Sequence, residues 1–380
     1  MPLDPSDIDL APTVAAINLA HLRHNVRLLR ERAGPADLMG VVKANAYGHG
    51  AVPVARVLRE EGVRHFAVAT VAEGRALRQA GVEDPILVFG GLLPVGLAAC
   101  ARLGLDVTIT SAEVAEAAMH TARTVAPLRV HVEVDTGMGR TGLAPDEVPA
   151  VLHRLERAPG ITVAGLYTHF ATVGDAFVAE QAARFAAVVD ALGGPPPPLH
   201  TGNSGVLLSP PAFFSLEGTA FVRAGVALYG IYESPDGASP LRPVMTLRSH
   251  ITQIKTVPAG TTVSYGRTWR APRRTRIATV ACGYADGYPR RLSNRAEAGL
   301  HGRRVPVVGT ICMDMLMLDL GPDGPEARPG DPVILFGEGG PSAAEVARQA
   351  ETITYELCCG IAPRVPRHYV DIAPPPAQSE

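Results

Sequence analysis

Between Thr13 and about Pro240 the sequence alternates short β-branched or apolar runs with Ala/Leu/Arg segments of helical period, eight times in succession. That alternation allows few folds, because each helix must return the chain to a parallel neighbouring strand and cover the sheet. The predicted strands are 38–43, 65–70, 86–89, 106–110, 128–134, 161–168, 198–202 and 219–223. Helices are predicted over 51–61, 71–80, 94–103, 112–123, 145–157 and 175–191. Eight repeats over this length predict an α/β fold with a TIM-type (β/α)8 barrel rather than an open doubly wound sheet.

Helical periodicity stops at the turn-rich stretch Tyr232-Glu233-Ser234-Pro235-Asp236-Gly237, which reads as a boundary. Residues 1–240 are therefore expected to form the barrel domain and 241–380 a β-rich C-terminal domain. Segments 244–256, 261–265, 276–281, 304–310, 315–320 and 332–336 read as mostly antiparallel strands between Gly/Pro turns. One helix interrupts them near Ser342–Gln349, where Ser342 and Glu345 have capping-box spacing. Apolar residues 12–18 could pair with the second sheet, and residues 1–12 are expected to associate with that domain. The Pro-rich tail from Ala373 is expected to fray.

Thirty-five basic against thirty-seven acidic residues leave a net charge of −2 with no long run of one sign. That balance argues against a nucleic-acid or membrane surface and for a small-molecule partner. Cys100, Cys282, Cys312, Cys358 and Cys359 show no zinc or redox spacing, so no metal is expected, and a reducing cytoplasm suits them. The acidic N-terminus resembles no secretory signal, and no apolar run is long enough to span a bilayer.

Lys43, one of two lysines, closes the apolar run of LMGVVKANAYGHG, residues 38–50. Arginine stays protonated, whereas a desolvated lysine can lose its proton and attack a carbonyl. The alternative is a strand-end lysine snorkelling to water, and a GC-rich genome would by itself thin lysines. Catalytic residues of barrels gather where strands end. That rim would carry Lys43 and Tyr47, then Asp135-Thr136-Gly137-Met138-Gly139-Arg140, His169, Asn203 with Ser204, and Arg223 with Gly225. Such a set suits an anionic cofactor bearing a carbonyl. Taken singly, His169 could be an ordinary hydrogen-bonding residue and Asn203-Ser204 a helix cap.

VVKANAYGHG (41–50), DTGMGRTG, THFA, NSG, VRAGVALYG, VSYG, GYADGY, ICMD and TYELCCGIAPRVPR occur in one order along the chain. Together they resemble the bacterial alanine racemases of the pyridoxal 5'-phosphate (PLP) barrel type, nearly end to end. The resemblance implies that Lys43 carries PLP as a Schiff base and is one acid/base group, with Tyr265 of VSYG as the other. Tyr47, Ser204, the backbone at Gly225 and Val226, and Tyr355 would hold the phosphate. Arg223 would face the pyridine nitrogen, and Asn203 would lie at the cofactor site. Arg140 and the backbone of Met313 would take the substrate carboxylate, and Arg140 would also orient the Tyr265 phenol. His169 would link Tyr265 to Arg223. Tyr284 and Asp314 would support the site, with Tyr284 and Tyr355 bulky enough to favour a small side chain. It also implies a homodimer in which one subunit's β domain covers the other's barrel mouth.

Racemisation takes the α-proton from one face and returns it to the other, so two bases on opposite sides suffice. A desolvated lysine and a phenol beside a cation such as Arg140 meet that need. An arginine at the pyridine nitrogen does not readily hand over a proton, which limits side reactions such as transamination. Tyr265 could instead be a strand aromatic packed on Trp269. Many family members have a carbamylated lysine two residues before the position of Asp135; here it is Glu133, whose carboxylate could supply the same charge beside Arg140. Cys282, Cys312, Cys358 and Cys359 lie close to these motifs, and each reads as a small buried hydrophobe. The expected activity is interconversion of L- and D-alanine for peptidoglycan, with a broader racemase of serine, lysine or arginine as the alternative.

Overall fold

The computed structural model describes residues 11–209, 218–232 and 239–372. Strand β1 (Val14–Asn18) leads directly into helix α1 (Leu19–Ala33). Then come β2 (Asp37–Val41), α2 (Ala51–Glu60), β3 (His65–Val68), α3 (Val71–Gln79), β4 (Ile86–Val88), α4 (Pro94–Leu103) and β5 (Asp106–Ile109). They continue as α5 (Ala112–Thr124), β6 (Leu128–Val134), α6 (Val148–Arg157), β7 (Ile161–Thr168), α7 (Ala176–Ala191), β8 (Leu199–His200), α8 (Ser204–Leu208) and β9 (Phe221–Ala224). Strands β2 to β9 close into a barrel in chain order, every pair parallel. The TIM-type expectation holds.

The strands are buried on both faces, as parallel strands under a helical layer must be. Helix α6 shows how each helix finds its place: Val148, Val151, Leu152 and Leu155 recur at helical spacing and are all buried. Each such burial is worth about 1.5–3 kcal/mol. This helix starts three residues later than its apolar pattern suggests, with Pro149 in its first turn, where proline's fixed φ suits a helix start. Side-chain caps open four others in the barrel: Thr70 before α3, Ser111 before α5, Asp175 before α7 and Asn203 before α8.

The second unit is built on an eight-stranded sheet. It comprises β1 with β10 (Met245–Val257), β13 (Thr275–Val280), β14 (Glu297–Leu300), β15 (Arg303–Pro306), β16 (Leu316–Asp319), β17 (Pro332–Phe336) and β18 (Arg367–Val370). Strands β11 (Thr262–Val263) and β12 (Trp269–Arg270) form a separate ribbon. Strand β1 lies between β10, antiparallel, and β18, parallel, so the early apolar run does join the second sheet. Thr13 and Pro12 are tied there too, through Ala281 and His250. Residues 1–10, the turn at 233–237 and the tail from Ala373 lie outside the described residues.

Helix α9 (Ala343–Gln349) carries the expected Ser342/Glu345 capping box, but a second helix, α10 (Thr354–Cys359), also interrupts the strands. The expected strand 261–265 stops at Val263, because Ser264 adopts φ 64° and turns the chain. The compact units do not follow chain order: Arg23–Ala46 and Gly50–Leu228 form one. Tyr47–His49 and Tyr229 onward belong with the segment ending at Leu22 in the other, so the division falls after Leu228 rather than at 240.

Candidate active site

Lys43 does not end a strand, since β2 stops at Val41 and the lysine opens a left-handed helical turn. Ala44, Asn45, Ala46 and Tyr47 all take φ between 51° and 55°. Left-handed geometry costs non-glycine residues roughly 1–2 kcal/mol each, so neighbours must fix it. Glu73 does so: its carboxylate accepts from the Ala44 amide at 2.6 Å, and from Ala69 and Thr70 at 2.8 and 3.1 Å. Asn45 closes the far side by accepting from Ala51 N at 2.8 Å. The strained turn thus delivers a half-buried Lys43 to the barrel rim.

Residues Tyr47–His49 belong with the second unit and are pinned inside it. Gly48, at φ 84°, lies so close to α10 that an added Cβ would be 2.2 Å from the Cys358 carbonyl oxygen. Arg367 donates to Gly48 O at 3.0 Å, and the Tyr369 hydroxyl to His49 O at 3.2 Å. The Tyr47 ring lies 5.1 Å from that of Tyr229 and 6.3 Å from that of Tyr355. Burial raises the Tyr47 phenol well above its ordinary pKa, so it remains a neutral hydroxyl.

On the barrel rim Ser204 follows β8, where Asn203 caps α8 by accepting from Gly205 and Val206 N at 3.0 and 3.1 Å. The Ser204 hydroxyl oxygen accepts from Gly225 and Ala227 N at 3.0 and 3.2 Å, tying the Gly225–Val226 turn to that helix. Arg223, on β9, is only 3% exposed. It donates to His200 O and Thr168 O, both at 2.7 Å, to His200 Nδ1 at 3.0 Å, to Thr201 O at 3.2 Å and to His169 Nδ1 at 3.5 Å. Burial lowers its pKa to about 10, so the guanidinium is still charged at neutral pH. Its hydrogen-bond partners are all neutral acceptors, so none of these bonds neutralises its charge.

His169 lies just past β7, and burial, reinforced by Arg223, Arg140 and Lys43, pulls its pKa to about 3. A neutral imidazole there accepts from Arg223. The loop after β6 is folded by Asp135, whose carboxylate accepts from Gly137 and Gly139 N at 2.9 and 3.0 Å and presents an exposed Arg140. Glu133 is buried and accepts from the Thr141 hydroxyl at 2.9 Å, one residue past Arg140. Buried Gln181 on α7 ties the two loops together, donating to Thr136 Oγ1 and His169 O at 3.2 Å each.

In the second unit Tyr265, Tyr284, Met313 and Asp314 are displayed outward, with Tyr265 72% exposed, Met313 53% and Tyr284 42%. Backbone contacts hold them: Thr310 Oγ1 donates to Tyr265 O at 2.8 Å, and Tyr284 and Ala285 N donate to Cys312 and Met313 O at 3.1 and 2.9 Å. Only glycine fits at 283, where a Cβ would lie 2.3 Å from Met313 O. Arg364 clamps Asp314 at 2.6 Å and Asp286 at 2.8 Å. Trp269 packs instead on the cluster of Val257, Val263, Ala271, Ile277 and Val308, so Tyr265 is not part of an aromatic core. The expectation of buried cysteines holds for Cys282 and Cys358 but not for exposed Cys359 or half-buried Cys312, near whose Sγ the Ser264 hydroxyl lies at 3.4 Å.

Glu73, Gln181 and the buried histidines of the barrel escape a reading of the sequence motifs alone. The pattern Thr70-Val71-Ala72-Glu73 is a capping box, so Glu73 was open to detection; Gln181 carries no local signal.

A closed (β/α)8 barrel with a lysine and a serine-tied turn on its rim, joined to a β-rich domain that displays tyrosines, is the architecture of a class of barrel isomerases. The model of the alanine racemase N-terminal domain matches residues 17–233, and that of the alanine racemase C-terminal domain matches 244–369. The alanine racemase of Chlorobaculum tepidum is 42% identical over 93% of this chain and 94% of its own. That of Symbiobacterium thermophilum is 42% identical over 96% and 98%. The solved alanine racemase of Clostridium difficile 630 superposes with a TM-score of 0.89 at 36% identity, covering 95% of this chain and 96% of that one. The chain belongs to the alanine racemase family, and is a racemase of that fold.

Proposed function

We propose that this chain interconverts L- and D-alanine with bound PLP, using Lys43 and Tyr265 as two bases. The observation that carries the reading is the placement of Lys43, delivered to the barrel rim by a strained turn that Glu73 holds. The groups proposed to receive a phosphorylated pyridine are the Ser204 hydroxyl, the backbone at Gly225 and Val226, and the Tyr47 and Tyr355 hydroxyls, with buried Arg223, whose hydrogen-bond partners are all neutral, at the ring nitrogen. When bound, the cofactor supplies an electron-withdrawing ring that acidifies the α-proton of the amino acid.

Lys43 and the Tyr265 phenol then hold that proton on opposite faces of the α-carbon. Arg140 and the Met313 backbone receive the substrate carboxylate. Neutral His169 accepts from Arg223 and joins it to the tyrosine side of the site. Glu133 acts on Arg140 through Thr141, fixing the loop rather than pairing with the guanidinium. Replacing Glu133 by Gln should therefore weaken alanine binding; a wild-type KM would remove Glu133 from the site.

Tyr265, Tyr284, Met313 and neighbouring Met315 form an exposed group rich in apolar atoms, which supports a homodimer whose β domains complete each other's barrels. Sedimentation equilibrium tests this, with a monomer at micromolar concentration as the contrary result. Among the described residues no helix is long and apolar enough to cross a membrane; cytoplasmic D-alanine supply for peptidoglycan is the cellular role proposed. Relatives bearing the name alanine racemase do not favour broader specificity.

The deciding experiment incubates the PLP-loaded protein with L-alanine in deuterated water. Circular dichroism should decay to zero as deuterium enters the α-position. Retained optical activity without exchange would overturn the proposal, and parallel incubations with L-serine, L-lysine and L-arginine would reveal any broader range.

A further inference from the structure

A row of hydrogen-bonded side chains runs through the barrel interior away from the rim. Arg223 Nη1 lies 3.0 Å from His200 Nδ1, His200 Nε2 lies 3.0 Å from His131 Nδ1, and His131 Nε2 lies 3.2 Å from Asp106 Oδ2. All four residues are buried. Asp106 is the first residue of β5 and so sits at the barrel's N-terminal end, opposite the rim. The half-exposed guanidinium of Arg129 also meets its carboxylate there, at 3.2 Å.

The chemistry of the two ends dictates every proton between them. A guanidinium only donates and a carboxylate only accepts. His200 must therefore accept at Nδ1 and donate from Nε2, and His131 must do the same, the last proton going to Asp106. Both rings are neutral Nε2–H tautomers, and a second proton on either would set N–H against N–H. Burial, followed by the charge of Arg223, depresses the His200 pKa, in keeping with a neutral ring.

The packing is shaped for this row. Gly165 on β7 faces the two rings, and a Cβ there would lie 2.3 Å from His131 Nδ1 and 2.9 Å from His200 Nε2, inside their hydrogen bond. Tyr167 stacks on His200 with ring centroids 4.4 Å apart and lies beneath the Arg223 guanidinium, 5.0 Å from its ring centroid. With both Nη groups of Arg223 committed to protein acceptors, Nε–H is the donor it keeps to offer at the rim.

We propose that Asp106 is a remote positioning residue for Arg223, fixing the tautomers of His131 and His200 so that the guanidinium is held in a single orientation from the far end of the barrel. For activity the inference rests on Arg223 facing the pyridine nitrogen; for the hydrogen-bond direction it stands alone.

The test has two parts. Long-range proton–nitrogen spectra of histidine-labelled protein should show two buried imidazoles in the neutral Nε2–H form from pH 8 down to 6. An Nδ1–H tautomer or a charged ring at either position would overturn the proposal. The second part measures PLP affinity of the apoprotein and the absorbance spectrum of the loaded protein. Asp106→Ala should raise the PLP dissociation constant about tenfold, the worth of one good hydrogen bond, and shift the spectrum.

Asp106→Asn keeps an acceptor for His131 and should restore most of the affinity, which a merely structural role for the carboxylate would not require. If Asp106→Ala folds too poorly to assay, Gly165→Ala, which intrudes on the same hydrogen bond, should give the same spectral shift. Wild-type affinity and spectrum in these variants, while Arg223→Lys alters both, would overturn the positioning role. No response even to Arg223→Lys would instead remove Arg223 from the pyridine nitrogen, a failure of the functional reading rather than of the tautomer assignment.

Discussion

The barrel rim and the outward face of the β unit hold their functional side chains in opposite ways. Arg223 is 3% exposed with every Nη group bonded to protein, and His169 and Glu133 sit among named partners. Tyr265 is 72% exposed, and the bonds that place it run through its carbonyl and through Ser264 rather than its phenol. The barrel side is preorganised by side-chain hydrogen bonds; the β side is aimed by backbone geometry while its side chains remain available. Substitutions on the β side should therefore change chemistry without disturbing the barrel fold.

The largest effect should come from Lys43→Arg. A guanidinium cannot form the covalent bond to the cofactor, so racemisation should vanish along with the absorbance band of lysine-bound PLP. Tyr265→Phe should keep that band and the melting temperature while lowering kcat by roughly 10²–10⁴-fold, the usual worth of a general acid or base. A variant with full kcat would leave Lys43 without its partner and undo the contrast. Gly48→Ala breaks the fold rather than the chemistry: its Cβ would lie 2.2 Å from Cys358 O at a φ of 84°. A loss on the order of 3 kcal/mol or more is expected in denaturant unfolding, since strain at a special φ belongs to the severe class.

Glu73→Gln should cost about 1–2 kcal/mol, because one of two acceptor oxygens that serve three amides becomes a donor. It should also slow PLP attachment, since the turn that delivers Lys43 loosens. The mildest effect is pH-dependent. The folded His169 pKa is depressed to about 3, whereas an unfolded histidine titrates near 6.5. The unfolded chain therefore binds more protons between those values, and stability falls as pH drops below about 6.5. Melting temperatures measured from pH 7.5 to 5 should decline, and His169→Asn should flatten that slope.

Much of the fold was legible because its signals are local. Eight apolar runs alternating with amphipathic helices have one natural closure, and the Ser342/Glu345 cap reports itself within four residues. The motif VVKANAYGHG marks Lys43 for the same reason. Other features escape local patterns. Nothing in Ala44-Asn45-Ala46-Tyr47 announces four consecutive left-handed residues, since propensity disfavours them and only the Glu73 and Asn45 contacts hold them. Strand 261–265 was shortened by a positive φ at Ser264 that alternation cannot foresee.

The sequence by itself determined the barrel and the β-rich domain after it, and singled out Lys43 for the proposed role, because periodicity and a dense motif act within a few residues of one another. The early apolar run offered itself to the later sheet, but tertiary structure alone decided its place there, between β10 and β18, more than two hundred residues away. It alone placed Tyr47–His49 in the unit that does not contain Lys43. It also joined Asp106, His131, His200 and Arg223, which no spacing connects, into one line of hydrogen bonds. Closing the barrel brings these residues of four strands within hydrogen-bonding distance, and proton direction then follows from which groups can only give and which can only take.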